Sequence, residues 1–475
     1  MTASQVPQGI VPFYKERGQQ VPRGVKGVFR NLKWWAMAIT LAWWHLAPFM
    51  RWDRGPGAPN QAILIDMPGR RAYFFDIEIW PQEVYYITGI LLMSAIFLFL
   101  MSAVAGRVWC GFLCWQTVYT DVFVQVERLV LGGRTSRLAF KNAPFSAGKL
   151  AKLAAVNLLW MAIGAACGIG FTLWFGDAFE MLRDIFTGEA SSSVYAFILI
   201  IGGFCFLLAG YARERVCVYL CPYSRFQSAM LDEHSLVVSY EAWRGEPRGP
   251  APSSHDFSGR GHCVDCKMCV ISCPTGTDIR FGNQLSCIGC ALCIDACDAV
   301  MDKFGLPRGL ISYDSSSNLI AHAEGKPGVI KLVRPRTLIY VGILAIAATV
   351  MLTALLLRSP TDVNILHERA PLFVQMSDGG IRNGYVYKIL NRVREDHSYM
   401  LKVTGMDGAT MDVVGVATNV TEAQVSVPRD DVGTFRIYVT VPASSVKGKS
   451  SPITFQLTRE DGRVVNSQSL FAAPE

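Results

Sequence analysis

A chain of 475 residues with a formal charge of +7 and 14 cysteines is too long for a small disulfide-stapled secreted domain, and its cysteine spacings are wrong for one. The length suits two or three domains, but the apolar residues (51% of the chain) gather in blocks longer than any strand and nearly without charge, which excludes a purely soluble protein. The positive charge sits in particular loops and is read as topology before nucleic-acid binding is considered.

In chain order, residues 1–33 form a polar, basic segment (Lys15, Arg17, Arg23, Lys26, Arg30, Lys33) without the apolar core and cleavage site of a secretory leader. Five blocks are long enough to cross about 30 Å of hydrocarbon: 34–50, 84–105, 153–175, 194–211 and 337–357. The first is short, contains His45 and Pro48, and has Trp34, Trp35, Trp43 and Trp44 as interfacial anchors. Arg107, Arg128, Arg134, Arg137, Lys141, Lys149 and Lys152 lie between the second and third blocks. The other two loops hold Arg51, Arg54, Arg70 and Arg71, and Arg183 alone. Arg70 and Arg71 read as part of a solvated outer loop. This asymmetry places the N-terminus in the cytoplasm of a bacterium, residues 34–211 and 337–357 in its inner membrane, 212–336 in the cytoplasm and 358–475 in the periplasm.

Residues 212–336 are polar and cysteine-rich, with a ferredoxin-like region at about 255–305. After Arg358 the pattern alternates, as in Tyr399/Leu401/Val403, Phe435/Ile437/Val439/Val441 and Ile453/Phe455/Leu457, with Gly-containing turns between runs. The expected fold class is a multi-domain membrane protein: an α-helical bundle of about five spans, a two-cluster ferredoxin-like insert and a C-terminal β-sandwich.

Residues 263–274 read C-V-D-C-K-M-C-V-I-S-C-P and residues 287–297 read C-I-G-C-A-L-C-I-D-A-C. In a C-x2-C-x2-C-x3-C run three thiolates from one loop reach one [4Fe–4S] cluster and the fourth ligates the other. Cys263, Cys266, Cys269 and Cys297 are therefore expected to hold one cluster, and Cys287, Cys290, Cys293 and Cys273 the second. Asp298 stands where the first run has Pro274, which is expected to loosen the turn after Cys297. Structural zinc favours C-x2-C pairs on longer linkers, and cytoplasmic disulfides are rare. No dinucleotide or phosphate-loop motif makes the chain its own source of electrons, so an unidentified cytoplasmic donor is implied.

Two further pairs, Cys110/Cys114 in R-V-W-C-G-F-L-C-W-Q and Cys217/Cys221 in R-E-R-V-C-V-Y-L-C-P-Y, each follow an outside-to-inside crossing. Spacing of i, i+4 predicts both sulfurs of a pair on one helical face, although Pro222 can end the second helix at Cys221. Soft thiolates suit Cu(I); zinc, a further cluster and simple packing are the alternatives. Cys167 and Cys205 stand alone inside spans and are expected to be packing residues. His45 in a span raises a functional question, with a satisfied structural histidine as the plainer reading. Asp121 is expected either to face a polar cavity or to cap a helix.

These motifs together, with W-W-H-L-A-P-F in the first span and R-N-G-Y-V-Y-K-I-L-N-R at 382–392, resemble the CcoG family (also FixG or RdxA), accessory proteins of cbb3-type cytochrome c oxidase. The resemblance runs over nearly the whole chain. It implies an immunoglobulin-like C-terminal domain and reduction of Cu(II) to Cu(I) for the oxidase copper centre, making the chain a cupric reductase. Cys110, Cys114, Cys217 and Cys221 would be the copper or electron-accepting site, and an oxidase subunit or copper chaperone the partner. One departure stands out: the family pattern has proline after the first C-x3-C, and position 115 here is Trp, so the two pairs are expected to differ in backbone. Two rival readings are a quinol-dehydrogenase-type electron carrier and a non-catalytic assembly scaffold.

Overall fold

The computed structural model describes residues 19–55, 58–251, 257–393, 395–446 and 448–474; Lys15 and Arg17 of the basic segment lie outside them. Two compact units divide the chain, Met1–Met351 and Leu352–Glu475.

In the first unit, α1 (Val28–Leu46) starts earlier than the expected span and ends before Pro48, which sits in a separate 3-10 turn, Ala47–Phe49. A helix can begin here because a residue from the cysteine-rich insert caps it. The Asp295 carboxylate accepts hydrogen bonds from Phe29 N (3.2 Å) and Arg30 N (2.7 Å), two of the orphan donors of a helix start. Arg30 and Lys33 are buried in the first turns of α1.

Among the described residues, four helices are long and apolar enough to cross a membrane: Pro81–Ala105, Ala147–Thr172, Ser192–Ala212 and Pro335–Leu356. They correspond to the second to fifth expected blocks. Between the first of them and the second run α2 (Val84–Ala105, the α-helical part of the first), the short α3 (Val108–Phe112), α4 (Trp115–Leu131) and α5 (Arg134–Asn142). Then come α6 (Ala147–Thr172), α7 (Ala178–Thr187) and α8 (Ser192–Cys205), the last continued by a π-helical stretch, Phe206–Ala212. Glycine sets the approach of α6 to α8. A Cβ on Gly164 would stand 2.8 Å from Gly202 O, and one on Gly168 2.5 Å from Ile198 O.

The segment between α1 and α2 carries a small sheet, and of the two arginines read as solvated Arg70 is exposed while Arg71 is partly buried. Strands β1 (Ile63–Asp66), β2 (Arg71–Phe74) and β3 (Ile77–Ile79) form an antiparallel sheet. Arg71 pairs with Glu78 (2.9 Å) and its guanidinium lies 3.9 Å from the Trp80 ring centroid. In the insert, β4 (Val237–Tyr240) pairs with β5 (Ile311–Asp314), and this ribbon packs with Cys263, Cys269, Ile294 and Met301 in one small core.

The second unit is a two-sheet sandwich. Its strands are β6 (Thr361–His367), β7 (Val374–Gln375), β8 (Ile381–Asn391), β9 (His397–Thr404), β10 (Thr410–Val413), β11 (Ala417–Val420), β12 (Glu422–Val427), β13 (Asp431–Val441), β14 (Ser450–Arg459) and β15 (Val464–Ala472). One sheet runs β11-β10-β13-β8-β6 with β7 added beside β8, and the other runs β12-β9-β14-β15. The alternating residues expected inside are inside: Tyr399, Leu401, Val403, Ile437, Val439, Val441, Ile453, Phe455 and Leu457 form the core, with Phe435 packed at its edge.

Candidate redox and metal centre

The two cysteine runs of the insert fold alike. Asp265 (φ 48°) and Lys267 (φ 56°) flank Cys266, while Gly289 (φ 66°) and Ala291 (φ 58°) flank Cys290, all in the left-handed region. That double reversal curls each loop around a centre and starts a helix, Met268–Ser272 or Leu292–Lys303. Proline explains how the two differ. The first helix stops before Pro274, with Cys273 extended (φ −70°, ψ 124°). Asp298 allows the second helix to run on, and its carboxylate accepts a hydrogen bond from Gly309 N at 3.0 Å. The turn after Cys297 is thus helical, not loosened.

Sulfurs gather in the two sets the spacing predicts. One cavity is lined by Cys263, Cys266, Cys269 and Cys297, with Tyr240, Met301 and Ile311 as apolar walls. A second is lined by Cys273, Cys287, Cys290 and Cys293, with Val238, Ile279 and Ile288. Burial pushes the Cys269 and Cys287 thiols up to about 12, and the nearby Cys273 sulfur adds to the shift at Cys287. Four sulfur donors converging in an apolar hollow are matched by a soft, positively charged metal core, so both sets fit an iron–sulfur cluster.

The other two pairs, Cys110/Cys114 and Cys217/Cys221, also converge. Cys110 and Cys217 pack in one cluster, and Cys114 and Cys221 lie close enough to both that ionising either would push those two thiols higher. Burial pushes Cys110 up to about 11 and Cys217 up to about 12, with Arg107 opposing. The single helical face expected for each pair is not what forms. Cys110 lies in α3, but Cys114 is extended (φ −64°, ψ 127°) and caps α4. Cys217 lies in a π-helical turn, Val216–Leu220, and Cys221 is extended (φ −77°, ψ 111°) before Pro222 opens the next helix. Pro222 disfavours a helical Cys221, and the chain makes the same break at Cys114 with Trp115 in the proline position. Cys114 and Cys221 therefore share an extended backbone despite that departure, while the turns before them differ, α-helical at Cys110 and π-helical at Cys217.

Glycines bring this four-thiol centre against the insert. A Cβ on Gly111 would stand 2.8 Å from both Cys290 Cα and Gly289 O, and one on Gly289 3.0 Å from Arg107 C. The loops C-G-F-L-C and C-I-G-C touch backbone to backbone, and Cys110 and Cys217 pack with Ile288, Cys290 and Leu292. Cys110 Sγ donates to the buried Gln227 Oε1 (3.0 Å), and Arg107 Nη1 donates to Leu285 O. Neither Gln227 nor Asp295 stands out in the sequence. Gly111 and Gly289, each between two cysteines of a motif, were its visible signal.

Asp121 pairs with Arg30 (2.7 Å) and Lys33 (3.5 Å) and lines a cavity that also touches Cys217, Pro274 and Leu292; it caps no helix. His45 packs into the space left by Gly170. Cys167 and Cys205 do not stand alone but lie side by side against Tyr119. Glu241, Asp314 and His322 form another donor group, closed on itself by His322 Nδ1, which lies 3.1 Å from Glu241 Oε1 and 3.7 Å from Asp314 Oδ2.

Comparison with known proteins adds three domain matches: a 4Fe–4S dicluster domain over residues 212–316, a 4Fe–4S binding domain over 87–134, and the IG-like fold at the C-terminus of FixG over 351–474. Protein RdxB of Cereibacter sphaeroides is 41% identical over 466 residues, covering 97% of each chain. The nitrogen fixation protein FixG of Rhizobium meliloti is 42% identical over 460 residues, 91% of this chain and 88% of FixG. Protein RdxA of Cereibacter sphaeroides is 41% identical over 437 residues, 91% and 92% of the two chains.

Proposed function

The chain belongs to the FixG/RdxA/RdxB family, and on that premise we propose that it is a membrane-anchored iron–sulfur oxidoreductase that reduces Cu(II) to Cu(I) for assembly of a cbb3-type oxidase. In this reading the N-terminus and insert face the cytoplasm of the bacterial inner membrane. The sandwich of 358–475 faces the periplasm, where it docks the oxidase subunit or a copper chaperone. Cys263, Cys266, Cys269 and Cys297 would hold one [4Fe–4S] cluster and Cys273, Cys287, Cys290 and Cys293 the other. Bound there, the clusters supply one-electron chemistry.

The chain's own residues do the rest. Cys110, Cys114, Cys217 and Cys221 present four thiols to the substrate ion. Gly111 and Gly289 let that centre touch the Cys290 loop with no side chain between. Cu(II) accepts one electron, originating from a cytoplasmic donor, and becomes Cu(I), the state thiolates hold more tightly. The backbone contact of Gly111 with Cys290 is the observation that carries this reading, because it joins the four thiols directly to the second cysteine set. The test is cupric reduction by anaerobically purified protein after dithionite reduction. Cys110→Ala with Cys217→Ala should abolish it, and Gly111→Val should slow it at least tenfold with iron retained. Removing 360–475 should leave reduction intact while impairing oxidase assembly. Undiminished oxidase maturation in the double variant would instead favour the scaffold reading, and quinol oxidation by the wild type the electron-carrier reading.

One observation favours a second reading of the same centre. The 4Fe–4S match over 87–134 contains two cysteines, Cys110 and Cys114, as if the four thiols hold a third cluster. About twelve irons per chain rather than about eight would establish that reading, since each cubane carries four.

A further inference from the structure

Cys167, Cys205 and Tyr119 belong to neither cysteine run nor to the four-thiol centre. They meet inside the helical bundle. Cys167 is on α6 and buried; Cys205 ends α8, just where the helix widens into the π-helical stretch Phe206–Ala212. Such local widening in an α-helix is commonly found at functional sites. The close approach at Gly164/Gly202 and Gly168/Ile198 brings α6 and α8 together, and Cys167 and Cys205 pack in one cluster with Tyr119. Tyr119 lies on the first turns of α4, the helix that Cys114 caps, and is 5% exposed. Its buried hydroxyl has no oxygen or nitrogen partner among the described residues and lies beside the Cys167 thiol. A neutral thiol is a weak partner that leaves a buried phenol poorly satisfied. As a donor to a thiolate it would be satisfied.

We propose that Cys167 and Cys205 bind one soft monovalent metal ion inside the membrane bundle, with Tyr119 donating a hydrogen bond to one of the sulfurs. The choice of Cu(I) as that ion rests on the reductase reading above; the two-sulfur donor set does not. Binding forms two metal–sulfur bonds and releases two thiol protons to solvent, and no electron moves. The product carries one net negative charge, which the Tyr119 hydroxyl stabilises. Two thiolates suit Cu(I), whereas harder divalent ions prefer oxygen and nitrogen donors.

The test uses full-length detergent-solubilised protein, purified anaerobically with its iron, titrated with Cu(I) against a chromogenic Cu(I) chelator. Replacing all four membrane-edge cysteines (C110S/C114S/C217S/C221S) should leave one chelator-resistant Cu(I) per chain. Adding C167S/C205S should remove it. Y119F should keep the stoichiometry and weaken affinity about tenfold, as expected for losing a hydrogen bond to a charged acceptor. A four-cysteine variant that keeps about eight irons per chain and retains no Cu(I) overturns the site. If that variant does not fold, C167S/C205S alone is titrated: one equivalent fewer than wild type supports the site, and equal stoichiometry overturns it. Cupric reduction measured on the wild type separates the two ideas. Reduction without copper at Cys167/Cys205 removes the site alone, and copper there in a chain that reduces no Cu(II) removes the reductase reading alone.

Discussion

The cysteine-rich insert and the C-terminal sandwich achieve order by opposite means. The sandwich, from Thr361 onward, contains no cysteine and buries Tyr385, Tyr387, Leu401, Ile437 and Phe455 to completion between two sheets. Its stability is that of apolar surface removed from water. Among its described residues the insert has one two-stranded ribbon and short helices, and cysteines take places in its small core that aliphatic side chains would otherwise fill: Cys263 and Cys269 are core members, with Cys287, Cys293 and Cys297 packed on them. Where thiols replace aliphatic side chains, metal binding and folding become one free energy. The sandwich should therefore fold without metal, and the insert should not.

Removing iron by chelation should break this contrast most visibly. Limited proteolysis should then cut within residues 257–316 while 361–472 stays protected; equal protection of both would defeat the comparison. Next in size, Phe455→Ala should cost about 3–5 kcal/mol by opening a cavity in the sandwich. Denaturant unfolding would read the loss, with iron content unchanged because the insert is a separate unit.

A buried ion pair in the first unit gives an effect of similar or smaller size that depends on pH. Burial opposes ionisation of Asp121, yet Lys33 and Arg30 hold its carboxyl below the ordinary range. A depressed carboxylate stabilises the fold above its unfolded value of about 3.9 and loses that contribution as pH falls through the folded value. Asp121→Asn should cost about 3–5 kcal/mol at neutral pH, since it leaves two buried cations unpaired. Thermal unfolding should show the gap to wild type closing below about pH 4. The smallest effect belongs to Asp295→Ala, which removes the cap of α1 and should cost about 1 kcal/mol. Hydrogen exchange at Phe29 and Arg30 would detect it, and unchanged protection there would show that the cap does not tie insert to bundle.

Much of this was readable from local pattern. Period-2 alternation located Leu401, Ile437 and Phe455 inside the sandwich, because a strand's side chains alternate by geometry. Long uncharged runs located four apolar helices, because few other structures tolerate them. Equal 2-2-3 spacing paired Cys297 with the first cysteine set and Cys273 with the second. The misreadings arose where a residue's partner is supplied by tertiary packing or strand pairing. The start of α1 depends on Asp295 and the charges of α1 on Asp121, so hydropathy alone placed that helix too late. Arg71 looked solvated because Glu78 and Trp80 become its partners only once β2 and β3 pair.

Local chemistry, then, determined the cysteine sets, the alternating strands and the apolar helices, since each is written in residues a few positions apart. Tertiary structure alone decided that Gly111 meets Cys290, that the extended Cys114 and Cys221 join Cys110 and Cys217, and that Cys167 lies beside Cys205. Those contacts join segments far apart in the chain; a glycine such as Gly111 marks where a backbone can be approached closely, but only the folded chain decides which segment approaches it.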